Sequence, residues 1–258
     1  MAGAVNDIRA GLSLWRQWSY MAANEIKMNY RRSILGPLWL TLNTMVMVGA
    51  LGAVYSLLFH MDAKGYVPYF ALGLLAWQLI AAFVSDGAQT FIQHAGMIKN
   101  VNMPLSFFAM KVAAKTMIVF LHQSLVLIPI FLILHISLTP DALFVIPALL
   151  LYAVDGLAVC LLTGMLCARY RDMGNILTNF LQVCFFITPI FWPAKNLHNS
   201  LLLKLNIFYH FLEIFRAPLL GEAPGMMHWA VSMATSAALM IAAFMVFRAF
   251  RTRIVHTL

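Results

Sequence analysis

Charge is scarce in this chain. Aspartate, glutamate, lysine and arginine together make up 10% of its 258 residues, against about 25% in a typical soluble domain, while 62% of the residues are hydrophobic and the mean hydropathy is +0.84. That excludes a soluble globular domain and leaves a polytopic membrane protein. Acids are the scarcer sign, 9 against 17 Lys and Arg, for a net charge of +8. A basic surplus suits nucleic-acid binding and positive-inside topology alike, so the placement of the charges has to decide. Cysteine is nearly absent. Cys160, Cys167 and Cys184 all fall in apolar runs without CxxC spacing, which excludes a disulfide framework or a zinc site and leaves inert packing residues. The first residues hold no continuous apolar stretch followed by a small-residue cleavage site, so no cleaved signal peptide is expected and the N-terminus is placed in the cytoplasm.

Catalytic signatures are missing too. There is no GxSxG, no HExxH and no carboxylate pair at fixed helical spacing, and the 8 histidines are scattered singly, so a membrane protease or glycosyl transferase has no visible catalytic group. No GxxxxGK[ST] occurs. The chain therefore binds no ATP through a Walker A loop, no cofactor is expected on it, and any ATP-driven motor belongs to another polypeptide.

Long apolar runs are what the chain does have. A bilayer core needs about 20 apolar residues per helix, and six candidates stand out: 38–59, 68–91, 107–134, 142–167, 176–192 and 229–249. An even number returns the chain to the side on which it began. Arg9, Arg16, Lys27, Arg31, Arg32, Lys99, Lys111, Lys115, Arg169, Arg171, Arg248, Arg251 and Arg253 then fall on one side, and Lys64, Lys195, Lys204 and Arg216 on the other. The positive-inside rule makes both termini cytoplasmic and accounts for the net charge without nucleic acid. No repeat or low-complexity stretch interrupts the chain, so residues 1–258 read as one membrane domain.

Four segments are not plain spans. In residues 6–30, Ile8, Leu12, Trp15, Ala22 and Ile26 recur at helical steps with polar residues between them, as in an amphipathic helix lying in the cytoplasmic interface. In YRRSILGPLW, the Gly36-Pro37 pair separates that helix from the first span. It leaves Arg31 and Arg32 at headgroup level, able to set topology and bind anionic lipid or to hold a diphosphate. The loop IQHAGMIKNVNMPLSFF holds a short helix-like piece with Met97, Ile98, Val101 and Met103 exposed, either a connector or a surface for a cytoplasmic partner. Residues 193–228 carry apolar stretches too short to span, predicting two short outer-side helices that turn near Asn206 and dip into the membrane.

Ionisable side chains inside spans are costly and count as functional candidates. Asp86, Lys111 and Lys115 share a depth at about 1.5 Å per residue, which points to an ion pair between neighbouring helices. His122 and Asp155 also lie at comparable depths, where they meet either as a buried hydrogen bond or as a proton relay.

These stretches resemble one family. YRRSILGPLWLTL (30–42), IKNVNMPLS (98–106), ARYRDMGNIL (168–177), ITPIFWP (187–193) and NIFYHFLEIFRAPLLGE (206–222) are similar to the membrane subunits of ABC exporters for polysaccharides, above all the permeases for lipid-linked O-antigen. Relatives of these serve capsule and teichoic acid. Ile207 stands where such proteins usually carry Pro after the Asn. The resemblance implies an all-α polytopic fold of the type 2 ABC exporter permease, with six spans, an N-terminal interfacial helix and two short gate helices in 194–222 marked by Asn206, Glu213 and Arg216. It implies that Met97, Ile98, Lys99, Asn100, Val101, Met103 and Pro104 form a coupling helix seated on an ATPase subunit. Arg31, Arg32, Leu35 and Gly36 would receive a lipid diphosphate from the cytoplasm. The implied assembly is a homodimer with two ATP-binding subunits that carry ATP and Mg, in a bacterial inner membrane, moving an undecaprenyl-diphosphate-linked glycan outward without bond chemistry on this chain.

A tunnel that must bind sugars weakly and release them is well served by ring faces. Tyr55, Phe59, Tyr66, Tyr69, Phe70, Phe185, Phe186, Phe191 and Trp192 lie near the outer ends of their spans and are candidates for that wall, or for an aromatic belt facing lipid. Phe185 and Phe186, deeper in their span, favour the wall. The alternatives are an exporter of small lipids or drugs, and an ion-coupled transporter using Asp86, His122 or Asp155.

Overall fold

A computed structural model describes residues 2–194 and 201–254. Among the described residues every regular element is helical: α1 (Ala2–Ser13), α2 (Trp15–Asn29), α3 (Leu38–Leu58), α4 (Ala63–Gln93), α5 (Ala95–Asn100), α6 (Leu105–Ser124) and α7 (Leu127–Ile133) make up the first half. A 3₁₀ turn (Pro140–Phe144), α8 (Val145–Arg169), α9 (Met173–Ile187), α10 (Leu201–Leu205), α11 (Ile207–Leu219) and α12 (Met226–Phe250) complete the chain. Five segments are long and apolar enough to cross a membrane: Leu38–Leu58, Ala63–Gln93, Leu105–Ile133, Pro140–Arg169 and Met226–Phe250.

The expected fifth span, 176–192, is instead α9, a helix of 15 residues. Proline sets its end. Thr188, which precedes Pro189, is extended at φ −86, ψ 136, because the proline ring disfavours helical backbone in the residue before it. Proline also splits the third span into α6 and α7. Pro129 has no N–H for the Leu125 carbonyl and its ring crowds that oxygen, so the helix breaks at Leu125 and Val126. Gly36 adopts the left-handed φ of 57 that turns the chain into α3.

The most buried helix is α4, and its closest neighbour is α8. Small residues allow that approach: a Cβ at Gly156 would stand 2.2 Å from the Phe83 ring, and one at Gly87 2.5 Å from Thr163 Oγ1. Both ends of the chain meet at one end of the bundle. There Arg251 of the C-terminal segment donates to the Gly3 carbonyl and lies 3.6 Å from the Asp7 carboxylate, while the Arg169 guanidinium at the end of α8 covers Phe250.

The N-terminal segment is not the single helix expected over 6–30. It breaks at Leu14 into α1 and α2, which pack along α6. Ala22 and Ile26 are buried there and Ile8 is partly buried, but Leu12 and Trp15, expected on the same stripe, are exposed. Asp7 fixes the contact by accepting from the backbone N–H groups of Leu105 and Ser106 at 3.2 and 3.0 Å. It thereby caps the otherwise unpaired donors at the start of α6.

Candidate functional site

Near the end that holds the termini, α2, α4 and α6 share a polar cluster. Glu25 of α2 pairs with Lys111 and, at 3.2 Å, with Lys115, and Lys115 lies 3.7 Å from Asp86. Asp86 also accepts from Thr116 at 3.2 Å. Lys111 donates to Nε2 of His94 at 2.8 Å, and His94 donates from Nδ1 to the Thr90 carbonyl at 2.6 Å. The expected Asp86–Lys115 pair is present; Lys111 is held by Glu25 and His94. Burial raises the Glu25 carboxyl, but the hydrogen bond from Lys111 and the charge of Lys115 outweigh it and leave the group below its ordinary value. Burial, helped by the Lys111 charge, keeps His94 below the usual histidine value.

His94 leads directly into α5, the segment expected to couple to a partner. Met97, Lys99, Asn100 and Val101 are exposed there and Met103 and Pro104 half-buried, but Ile98 is buried against the core. The exposed surface is therefore smaller than expected, with Ile98 as its anchor. Arg31 and Arg32 are exposed and line a shallow depression of about 470 Å³ with Met28 and Asn29. Leu35 is exposed beside Gly36.

His122 and Asp155 do not meet. His122 donates to the Ile118 carbonyl of its own helix at 2.8 Å, whereas Asp155 accepts from Ser236 of α12 at 2.7 Å. Equal depth was not enough, because His122 turns back on its own helix and Asp155 turns toward α12.

At the opposite end, residues 188–193 run without helix, so their carbonyls need partners from side chains. Arg216 donates to Pro189 O at 2.9 Å, Tyr69 bonds Pro189 O and Trp192 O at 3.2 Å each, and Tyr66 donates to Phe191 O. The Ala194 N–H donates back to the Tyr69 hydroxyl at 3.3 Å, and Asn206 donates to Thr188 at 3.0 Å while capping α11 through Tyr209 N–H. Arg216 is 1% exposed, pairs with Glu213 and stands 3.9 Å from the Tyr69 ring centroid. Counted in the sequence among the charges of the outer side and the gate, it is the buried tie of a polar node in α11. Burial, with Glu213 beside it, pushes the Tyr209 phenol up to about 12. α10 and α11 turn at Asn206 as expected; the part of that segment in 195–200, including Lys195, lies outside the described residues.

The aromatic candidates separate into two groups. Tyr66 and Phe70 are buried and the Tyr69 hydroxyl is committed to the 188–194 ties, so these rings pack in the node and the core. The others form a connected track: Phe59 to Tyr55 at 6.0 Å, Tyr55 to Phe191 at 5.5 Å, Phe191 to Phe185 at 5.7 Å and Phe185 to Phe186 at 5.5 Å between ring centroids. Trp77, which was not singled out in the sequence, extends it at 5.7 Å from Phe185. Phe186 is 58% exposed, and Trp192 donates to its carbonyl at 3.2 Å. Trp77, Phe185, Phe186, Thr178, Gln182 and Ser85 border a groove of about 450 Å³ between α4 and α9.

α9 carries the main signal that the sequence reading passed over. At helical spacing, Asn175, Thr178, Asn179, Gln182 and Phe186 share one exposed face, and Ile176, Phe180, Val183 and Ile187 share the next. Leu181 is the one buried residue of α9.

The ABC-2 type transporter profile matches residues 16–220, a stretch that includes α9, the aromatic track and the Arg216 node. This chain belongs to the ABC-2 type transporter family. Among curated relatives of this ABC-2 protein, the O-antigen export system permease protein RfbA of Myxococcus xanthus is 26% identical over 216 residues, covering 76% of this chain and 77% of the relative. An RfbA of the same description from Klebsiella pneumoniae is 23% identical over 175 residues, covering 66% of each. The family and the five apolar segments make the chain a multi-pass membrane permease.

Proposed function

We propose that this permease is the membrane subunit of an exporter that moves undecaprenyl-diphosphate-linked O-antigen, or a similar polysaccharide, outward across a bacterial inner membrane. The likeness to RfbA permeases supports the substrate class. The observation that carries the reading is α9: a helix whose exposed face bears Asn175, Thr178, Asn179, Gln182 and Phe186 is costly against lipid and suits a water-filled passage in which amides and rings meet sugars. α9 starts beside Arg169, at the end with the termini, and finishes beside Tyr66 and Tyr69 at the other end. In this reading it is the sixth crossing, completed by the bent 188–193 segment. Exposure of both α9 faces supports a second copy of the chain enclosing the passage. In that arrangement α10 and α11 form the outer gate within a single 1–258 domain, and Arg31, Arg32, Leu35 and Gly36 take up the lipid diphosphate. α5 seats on each of two ATP-binding subunits, which hold the ATP and Mg.

The test is reconstitution of the permease with its ATPase in lipid nanodiscs. Polyprenyl-diphosphate-linked glycan is expected to stimulate ATP hydrolysis several-fold, and Val101→Glu at the C-terminal cap of α5 to uncouple it. Failure of every polyprenyl-linked glycan to stimulate hydrolysis would falsify the proposal.

A further inference from the structure

At the end away from the termini, a cavity of about 370 Å³ opens between the start of α4, Pro193 and Ala194, α11 and the start of α12. Small-molecule pockets run from roughly 300 to 1,000 Å³, so this one is sized for a single small polar ring and its substituents. Its wall includes Tyr69, Tyr209, Glu213, Arg216, Glu222 and His228.

Hydrogen-bond accounting shows which atoms remain for a ligand. His210 Nε2 lies 3.0 Å from the Lys204 carbonyl and so carries a proton; its Nδ1 then accepts from Nδ1 of His228 at 3.0 Å. That assignment leaves Nε2 of neutral His228 as an acceptor. Glu213 gives Oε1 to Arg216 and keeps Oε2. The Tyr209 hydroxyl makes no hydrogen bond among the described residues; only its backbone N–H is engaged, by Asn206. The Arg216 guanidinium is already used by Glu213, by Pro189 O and by the face of Tyr69.

The wall thus offers acceptors on Glu213, Glu222 and His228 and the hydroxyl of Tyr209, with the rings of Tyr69, Tyr209 and His228 alongside. Glu213 and Glu222 against one internally neutralised arginine repel phosphate. Among the described residues no group of three His, Cys, Asp or Glu can hold a metal ion. The polar atoms disfavour an acyl chain, which would leave them unpaired. A neutral pyranose matches: its hydroxyls donate to carboxylate and imidazole, and its C–H face lies on a ring.

We infer that this cavity is a saccharide site at the outward end of the permease, holding one neutral sugar unit beside α11. The inference rests on the export reading for its orientation and for the source of the sugar. It is tested on the purified full-length permease in nanodiscs, without ATPase or lipid-linked substrate, by saturation-transfer NMR with the methyl glycosides of glucose, galactose, mannose and rhamnose. At least one glycoside is expected to bind with a millimolar dissociation constant. Tyr209→Phe, which removes a hydroxyl with no protein partner, is expected to weaken it about tenfold with unchanged thermal unfolding, and Ala223→Trp to block it by filling the cavity. Failure of all four to bind, or binding in both variants equal to that of the wild type, overturns the site, as does competition by inorganic phosphate. Such a failure leaves glycan-stimulated ATP hydrolysis intact, whereas failure of the export reading abolishes that stimulation and leaves glycoside binding in place.

Discussion

Arg216 concentrates several costs in one side chain. A guanidinium that is 1% exposed is tolerable only because a carboxylate, a carbonyl and a ring face all meet it. Arg216→Leu strands Glu213 and the Pro189 carbonyl together, and removing one partner of a buried pair costs about 3–5 kcal/mol. We expect a strongly lowered thermal unfolding temperature in detergent, with Arg216→Lys intermediate because it keeps the charge but loses the fork; a wild-type melting curve for Arg216→Leu would contradict this. Glu25 makes a pH prediction. Its folded carboxyl lies below the ordinary 4.5, so its contribution is fully present above about 4.5 and is lost as pH falls through the lower folded value. Wild-type protein should therefore lose α2 docking on acidification below that point. Glu25→Gln should be less stable at neutral pH and flatter in the acid range, as read by unfolding midpoints between pH 3 and 7.

At the scale of elements, proline and small residues set the helices and polar pairs hold them in place. Apolar run length made the five long spans legible, because about 20 apolar residues leave few alternatives to a crossing. The same reading overshot α9, since Phe191 and Trp192 continue the apolar composition past the point where Pro189 stops the helix. Pairings were less legible. Asp86 and Lys115 follow from depth alone, but Glu25 reaches Lys111 only because α1 and α2 fold along α6, and Arg216 is tied inward by segments distant in sequence. Ring type cannot separate an exposed ring from a core one, so the buried Tyr66 and Phe70 looked the same as Phe185 and Phe186. The amide stripe of α9 was readable, as Asn175, Asn179 and Gln182 fall at helical steps. Replacing Asn179 and Gln182 together by Leu removes two hydrogen-bonding groups worth roughly 0.5–1.5 kcal/mol each, a combined loss on the order of tenfold in rate. The expected result is surface glycan reduced by about that factor at normal permease levels, while Val183→Leu on the neighbouring apolar face leaves export unchanged. Equal effects of the two substitutions would remove the distinction between the faces.

For the whole molecule the central question is how one chain connects two unlike ends. The end with the termini carries α1, α2, α5, the Glu25 cluster and most of the basic residues; the other carries the 188–194 turn, α11 and the cavity beside it. Positive-inside bias predicts a cytoplasmic location for the first, and the contact of Arg251 with Asp7 at 3.6 Å predicts that the segments carrying these two residues share that side. The two statements are independent, one resting on charge and the other on packing, and alkaline phosphatase fusions test them together. A fusion after Leu258 should be inactive and one after Asp62, between α3 and α4, active, since the enzyme matures only outside the cytoplasm. A fusion after Pro193 decides whether α9 crosses: activity there places the end of a 15-residue helix and its bent continuation on the outer side. Inactivity there would leave α9 as a hairpin on the cytoplasmic side and break the path from Arg31 to the cavity.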